Sequence, residues 1–202
     1  MEQQITRHLA LDSRLKPVLE MLPFPPPPPS DPDIFVDLLS SIVSQQLSVK
    51  AAGTIYQRFC SLFPGGTPRA EQLLSMQPES LRSVGLSTQK ATYVRNVAGF
   101  FLEHGLLARD WNAFSDEEIL HTLTQIKGVG KWTTEMLLMF SLGRPDVFPA
   151  DDLGIQQGMQ RLYQLDLEGK LLRKAMEEIA APWRPFRSYA CYYLWRWKDA
   201  VK

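Results

Sequence analysis

The sequence predicts an all-α protein. Apolar residues recur at helical spacing through most of the chain, proline and capping residues mark helix starts, and no strand-length segment alternates apolar with polar side chains. A first helix is expected over about Thr6 to Leu22, and the five prolines Pro25 to Pro29 then form a short, stiff, extended linker. Ile34, Phe35, Leu38, Leu39, Ile42 and Val43 share one face of the next helix, with Asp31-Pro32 as its cap and first residue. Val49, Ala52, Ile55, Tyr56, Phe59 and Phe63 mark another apolar face; Gly65-Gly66 stops that helix and Thr67-Pro68 starts its successor. Ser115-Asp116-Glu117-Glu118 has the capping-box form and opens a helix running through Leu123. Near the end, Phe186, Tyr189, Ala190, Tyr193, Leu194 and Trp197 form one stripe, most simply core, while Tyr192 and Trp195 fall off it. The expected architecture is one unit over residues 1–202, made of two helical lobes with a cleft between them. One lobe takes about 1–33 plus 145–202, and the other takes about 34–144 and contains a helical hairpin at 120–140.

The chain has 202 residues, 45% of them apolar, enough for a sizeable core. Its 22 basic and 22 acidic residues cancel, which argues against a protein that coats polyanions by bulk charge. Locally the balance is uneven. Acids are absent between Leu38 and Ala70, where Lys50, Arg58 and Arg69 stand, and between Ser80 and Leu102, where Arg82, Lys90 and Arg95 stand. The tail from Lys170 is basic and the stretch from Asp110 to Asp152 acidic; plain solvated helix faces would give the same pattern. Two cysteines, Cys60 and Cys191, cannot furnish a four-cysteine zinc or iron–sulfur site or a disulfide framework. No apolar run reaches the roughly 18 residues of a membrane helix, and the first residues carry no apolar signal core, so a soluble, cytoplasmic protein without a membrane partner is expected.

Three segments suggest chemistry. Gly128-Val129-Gly130 makes a tight turn between two helices; its glycines allow positive φ and leave amides uncovered at the start of the next helix, where an anion such as phosphate is favoured. A ligand-free turn is the simpler explanation. In Phe148-Pro149-Ala150-Asp151-Asp152, one aspartate caps the helix continuing through Ile155 and Leu162. The second has no such role, and paired acids repel, so a site is the competing explanation. Trp195, off its stripe, either lines a cleft where it stacks on a flat or cationic ligand or belongs to a second packing surface.

Val43-Ser-Gln-Gln-Leu-Ser-Val-Lys-Ala-Ala52, Gly85-Leu-Ser-Thr-Gln-Lys-Ala91, Gly128-Val-Gly130, Phe148-Pro-Ala-Asp-Asp152 and Trp183-Arg-Pro-Phe-Arg-Ser-Tyr189 occur in the order found in helix-hairpin-helix DNA glycosylases. The chain most resembles the 3-methyladenine DNA glycosylase II (AlkA-like) branch, in a short form without the N-terminal β-domain. The resemblance implies the fold of that family and a monofunctional glycosylase, a base excision repair hydrolase that releases alkylated purines such as 3-methyladenine and 7-methylguanine from double-stranded DNA.

Residue by residue, Asp152 matches the family's catalytic aspartate. Trp132 and Trp195 match aromatics of the base pocket, and Met136 and Leu153 replace aromatics found there in some relatives. Gln45, Gln46, Leu47 and Ser48 match the loop that fills the gap left by a flipped-out base. A relative has an apolar wedge at the position of Gln46, so Gln46 or Leu47 does the filling here. Leu86 lies in a second DNA-approaching loop, and Gly128, Val129, Gly130 and Lys131 match the phosphate-binding hairpin. The backbone carbonyls of Thr124, Ile126 and Val129 match a sodium- or potassium-type site; no other cofactor is implied, and the cysteine count excludes an iron–sulfur cluster. Bifunctional relatives carry a Schiff-base lysine where this chain has Trp132, beside Lys131. A glycosylase/lyase for oxidised bases and a non-catalytic DNA-binding module are the alternatives. The implied working form is a monomer, nucleoid-associated in a bacterial cytoplasm.

Overall fold

The computed structural model describes residues 1–27 and 31–200. Pro28 and Pro29, the end of the expected linker, lie outside the described residues, and residues 25–27 have no regular secondary structure. Among the described residues there are twelve α-helices and no strand: α1 Glu2–Leu9, α2 Lys16–Met21, α3 Ile34–Ser44, α4 Val49–Cys60, α5 Ala70–Ser75, α6 Pro78–Ser83, α7 Thr88–Glu103, α8 Asp116–Leu123, α9 Lys131–Phe140, α10 Leu153–Tyr163, α11 Gly169–Ala180 and α12 Arg187–Ala200. No helix among them is long and apolar enough to cross a membrane. The chain divides into two units, Met1–Pro29 with Leu138–Lys202, and Ser30–Leu137. The second boundary therefore falls inside α9, upstream of the position near 144 expected from sequence.

The unit Ser30–Leu137 is organised on α7, against which α3, α5 and α6 pack. The six apolar residues predicted on one face of α3 are all buried, each contributing roughly 1.5–3 kcal/mol. Asp33 rather than Asp31 caps that helix, its Oδ1 accepting from Val36 N at 3.1 Å. Helix α4 ends at Cys60, earlier than its apolar pattern suggests. Val49 is 92% exposed, while Phe63 joins the core from beyond the helix, its ring edge-on to Phe59 at 5.3 Å. The capping box forms as predicted, with Ser115 and Glu118 each bonding the other's backbone N–H. Two cations of α7 finish its neighbours. Lys90 Nζ donates to the carbonyls of Val43 and Gln45 at the end of α3, and Arg95 Nη1 to those of Leu73 and Met76 around the end of α5. Positive side chains thus meet the last carbonyls, which lack donors within their own helices.

In the other unit, α10 packs on α12 and α11, and α2 on α12. The predicted first helix is two, interrupted by a turn around Asp12. Asp12 Oδ1 accepts from Arg14 N and Leu15 N, the local competition by which aspartate breaks helices. Its other oxygen accepts from Tyr163 Oη at 2.7 Å and Trp183 Nε1 at 2.9 Å, tying the N-terminal segment to α10 and to the turn before α12. Burial works to raise the Asp12 pKa, but these four hydrogen bonds together hold it below its ordinary value.

Asp12→Ala would strand the donor of the buried Trp183 indole and is expected to destabilise the protein by about 2–4 kcal/mol in urea denaturation. Because the folded-state pKa is lowered, Asp12 stabilises above its unfolded pKa and loses that contribution as pH falls through the folded value. The acid limb of the stability curve should therefore flatten in the variant; an unchanged limb would show that the tie is not formed.

Candidate functional site

Asp152 is the N-cap of α10, as the plainer sequence reading had it: its Oδ1 accepts from Ile155 N at 2.8 Å. The same oxygen accepts from Trp195 Nε1 of α12, also at 2.8 Å. Cap and indole therefore fix one half-buried carboxylate in one orientation. Gly154 makes this possible, because a Cβ there would stand 2.8 Å from Trp195 Cδ1 and 3.1 Å from Asp152 Oδ1. Sequence reasoning missed Gly154, although a glycine in the first turn of a well-capped helix is a local misfit that asks for a reason. Asp151 does have a structural role, since it is exposed and pairs with Arg173 of α11 at 3.4 Å. The adjacent acids thus have different partners, and the repulsion expected of them is relieved at Asp151.

The loop that delivers Asp152 is clamped by the Trp183–Tyr189 motif. Asp146 receives Arg184 Nη1 at 2.7 Å and Arg187 Nε at 2.7 Å, and the guanidinium of Arg187 also holds the Asp146 carbonyl at 2.6 Å. The buried Ser188 hydroxyl donates to Arg144 O and accepts from Val147 N.

Beside Trp195 lies a cavity of about 650 Å³ walled by Phe24, Phe140, Tyr189, Tyr192 and residues 25–27. Phe140 stacks on Trp195 with centroids 5.6 Å apart, and Phe24 on Tyr189 at 5.4 Å. Trp195 is half-buried and faces this cavity, off the core stripe as predicted. The stripe itself is narrower than expected. Ala190, Tyr193 and Leu194 are buried, whereas Phe186, Tyr189 and Trp197 are only half-buried, and Tyr189 belongs to the cavity wall. Phe24 and Phe140 were not singled out from sequence; an aromatic opening a proline run was the available signal for Phe24. Tyr192 Oη donates to Met139 O, and burial raises its pKa above the ordinary tyrosine value. Leu153, the first residue of α10, is 66% exposed.

In the unit Ser30–Leu137, a second cavity of about 670 Å³ brings Trp132 and Met136 of α9 together with Gln45, Gln46 and Leu47. Gln46 is exposed with φ 57°, a left-handed conformation uncommon for a residue with a side chain. Ser48 follows as the N-cap of α4. Leu86 is 4% exposed, and its loop lines a further cavity with Arg82, Ser83, Gly85 and Ser87.

The turn between α8 and α9 is built on Gly128, with φ 109°; a Cβ there would collide with the Tyr93 ring. Gly130 has no positive φ and open space around it, which corrects the expectation that both glycines serve the turn alike. Val129 and Ile126 anchor the turn by burial, and Asn96 Nδ2 of α7 donates to Lys127 O at 3.0 Å. Lys131 pairs with the buried Glu135 at 3.4 Å. Among the described residues no group of three His, Cys, Asp or Glu side chains converges as a metal site.

The HhH-GPD superfamily base excision DNA repair protein model matches residues 39–185, a span holding the Gln46 loop, the Gly128 turn and Asp152. The chain is 40% identical over 166 residues to DNA-3-methyladenine glycosylase 1 of Schizosaccharomyces pombe, covering 80% of this chain and 71% of that protein. It is 33% identical over 172 residues to the putative DNA-3-methyladenine glycosylase YfjP of Bacillus subtilis, covering 82% and 59%. Among solved structures, the S. pombe 3-methyladenine DNA glycosylase Mag1 in complex with abasic DNA superposes with a TM-score of 0.84 at 34% identity, over 98% of each chain. On this agreement of sequence and fold, the chain belongs to the HhH-GPD superfamily of base excision DNA repair proteins.

Proposed function

We propose that the chain is a monofunctional DNA glycosylase that hydrolyses the N-glycosidic bond of alkylated purines, of the 3-methyladenine and 7-methylguanine type, in double-stranded DNA. The observation that carries this reading is the Asp152 carboxylate, held in one orientation by the α10 cap and by the indole of Trp195, a residue that also lines an aromatic cavity. A base must leave the stack before its glycosidic bond can be reached. Gln46 and Leu47 stand exposed on the loop suited to fill the gap. Alkylated purines carry positive charge, so an electron-rich aromatic wall favours them over normal bases. As the bond breaks, positive charge grows on the sugar; a fixed carboxylate stabilises it and orients or deprotonates the attacking water. Trp132, at the place of a Schiff-base lysine, and the pairing of Lys131 with Glu135 favour hydrolysis over a lyase step. The relatives named DNA-3-methyladenine glycosylase support the substrate class.

The start of α9 offers amides and a helix dipole to a backbone phosphate. Before it, the Thr124, Ile126 and Val129 carbonyls supply neutral, hard oxygens in a loop without carboxylates, a donor set suited to sodium or potassium; the Ile126 carbonyl also accepts from Val129 N at 2.9 Å. Such an ion would add a positive charge next to that phosphate.

Asp152→Asn keeps the cap but removes the charge, and is expected to slow base release by about 100-fold or more, roughly 3 kcal/mol, with lesion-DNA binding retained. Release at the wild-type rate would leave Asp152 as a helix cap alone. Trp195 has two separable roles. Trp195→Phe loses the N–H to Asp152 while keeping a flat ring, and should slow release of 7-methylguanine and hypoxanthine alike. Trp195→Ala should further lower 7-methylguanine release relative to hypoxanthine, by the roughly 0.5–2 kcal/mol of a cation–π contact. An equal lesion ratio in the two variants would remove the ring face from recognition.

The two hairpin glycines should behave differently. Gly128→Ala meets Tyr93 in a left-handed conformation and should lower both stability, by about 1–3 kcal/mol, and duplex affinity. Gly130→Ala should stay within about 0.5 kcal/mol of wild type. Undamaged-duplex affinity should fall with salt with the shallow slope of a few phosphates; a steep slope, or undiminished affinity in folded Gly128→Ala, would sink hairpin anchoring.

A further inference from the structure

Lys90 stands in the first turn of α7, capped by Ser87, where a cation opposes the helix dipole. Its position makes sense only through what it reaches. Nζ donates at 2.7 Å to the Val43 carbonyl, within the last turn of α3, and at 2.7 Å to the Gln45 carbonyl, the residue after that helix. Burial lowers the Lys90 pKa, so the ammonium gives up water in exchange for these two oxygens. The Gln45 carbonyl belongs to the same planar peptide as the Gln46 N–H. Holding that oxygen sets the plane from which Gln46 starts, and Gln46 is the residue at φ 57°. Leu47 N then turns back to Ser44 O at 3.2 Å, and Ser48 opens α4. A left-handed glutamine is unfavourable by itself and persists where its surroundings fix it.

We propose that Lys90 is a positioning residue for the DNA-inserting loop: by gripping the end of α3 it holds Gln46 and Leu47 outward in the shape that enters the gap left by an extruded base. The inference rests on the proposed function and gives the Gly85–Ala91 segment a role besides that of Leu86. A flexible loop would have to be ordered during extrusion, whereas a preformed one is ready when the base leaves.

The test uses the full chain and a duplex carrying 2-aminopurine opposite a tetrahydrofuran abasic site, where loop insertion changes the fluorescence at saturating protein. Lys90→Met is expected to lose most of that change while thermal melting shows a folded protein, and Lys90→Arg, which keeps a cationic donor, is expected to restore most of it. In base release, Lys90→Met should slow excision of 7-methylguanine from duplex by about tenfold or more, with much less effect on a single strand that needs no gap filled. A full fluorescence change in Lys90→Met overturns the proposal, as does an equal loss of release from both substrates or a Lys90→Arg variant no better than Lys90→Met. Failure of the wild-type protein to release any base would instead overturn the glycosylase reading, while the fluorescence on abasic duplex still decides the role of Lys90.

Discussion

The hydrogen bond from Trp195 Nε1 to Asp152 Oδ1 depends on how closely α10 and α12 approach, and that approach depends on a glycine, Gly154. Gly154 and Gly158 are four residues apart and so share a face of α10. A Cβ at the first would press on the Trp195 indole, whereas one at the second would make only an ordinary contact, 3.5 Å from the Leu194 carbonyl. Each glycine weakens α10 by roughly 1 kcal/mol relative to alanine. The helix is sound nonetheless, with a carboxylate cap at its start and Ile155 and Met159 buried. What Gly154 gives in return is an aspartate whose rotamer is set from two directions, by its own helix and by its neighbour.

The other end of the same loop is fixed as firmly. Asp146 takes two arginines and Ser188 bridges Arg144 to Val147, so the chain from 144 to 152 is held at both ends by α12 and the turn before it. Preorganisation of this kind matters for the proposed chemistry, because a carboxylate that must reorient as charge develops stabilises it less. The clamp residues touch no reacting atom; their contribution is the fixed position of one that would.

The helical pattern, the capping box, the α3 face and the cap at Asp152 were legible because each is a local rule, satisfied within a few residues of chain. Gly154 was not, since its reason is an indole some forty residues away. The same holds for Asp151, whose partner Arg173 stands on another helix, and for Leu86, whose burial no local signal reveals. Val49 and Phe63 show the converse error. Helical spacing assigned both to one face, but α4 stops at Cys60, and the aromatic cluster recruits Phe63 from beyond its end. The aromatics of the cavity wall were half legible: Trp195 announced itself by leaving the stripe, whereas Tyr189 sat on the stripe and still faces the cavity.

Charge was the least readable property, because a count of lysines and arginines does not say what each one touches. The two acid-free stretches of the Ser30–Leu137 unit hold six cations, and they invite an electrostatic interpretation. Lys90 and Arg95 are engaged by the backbone carbonyls that end α3 and α5, which leaves Lys50, Arg58, Arg69 and Arg82 exposed. A protein with so few outward cations there and no net charge gains little from long-range attraction to a polyanion. On the proposed function, its hold on DNA would come from short-range features that need no excess charge, namely helix-start amides, a preformed inserting loop and an aromatic cavity. That division suits a repair enzyme that has to leave undamaged sequence quickly. The general attraction would stay weak, and the strong interactions would be reserved for a base that has left the stack.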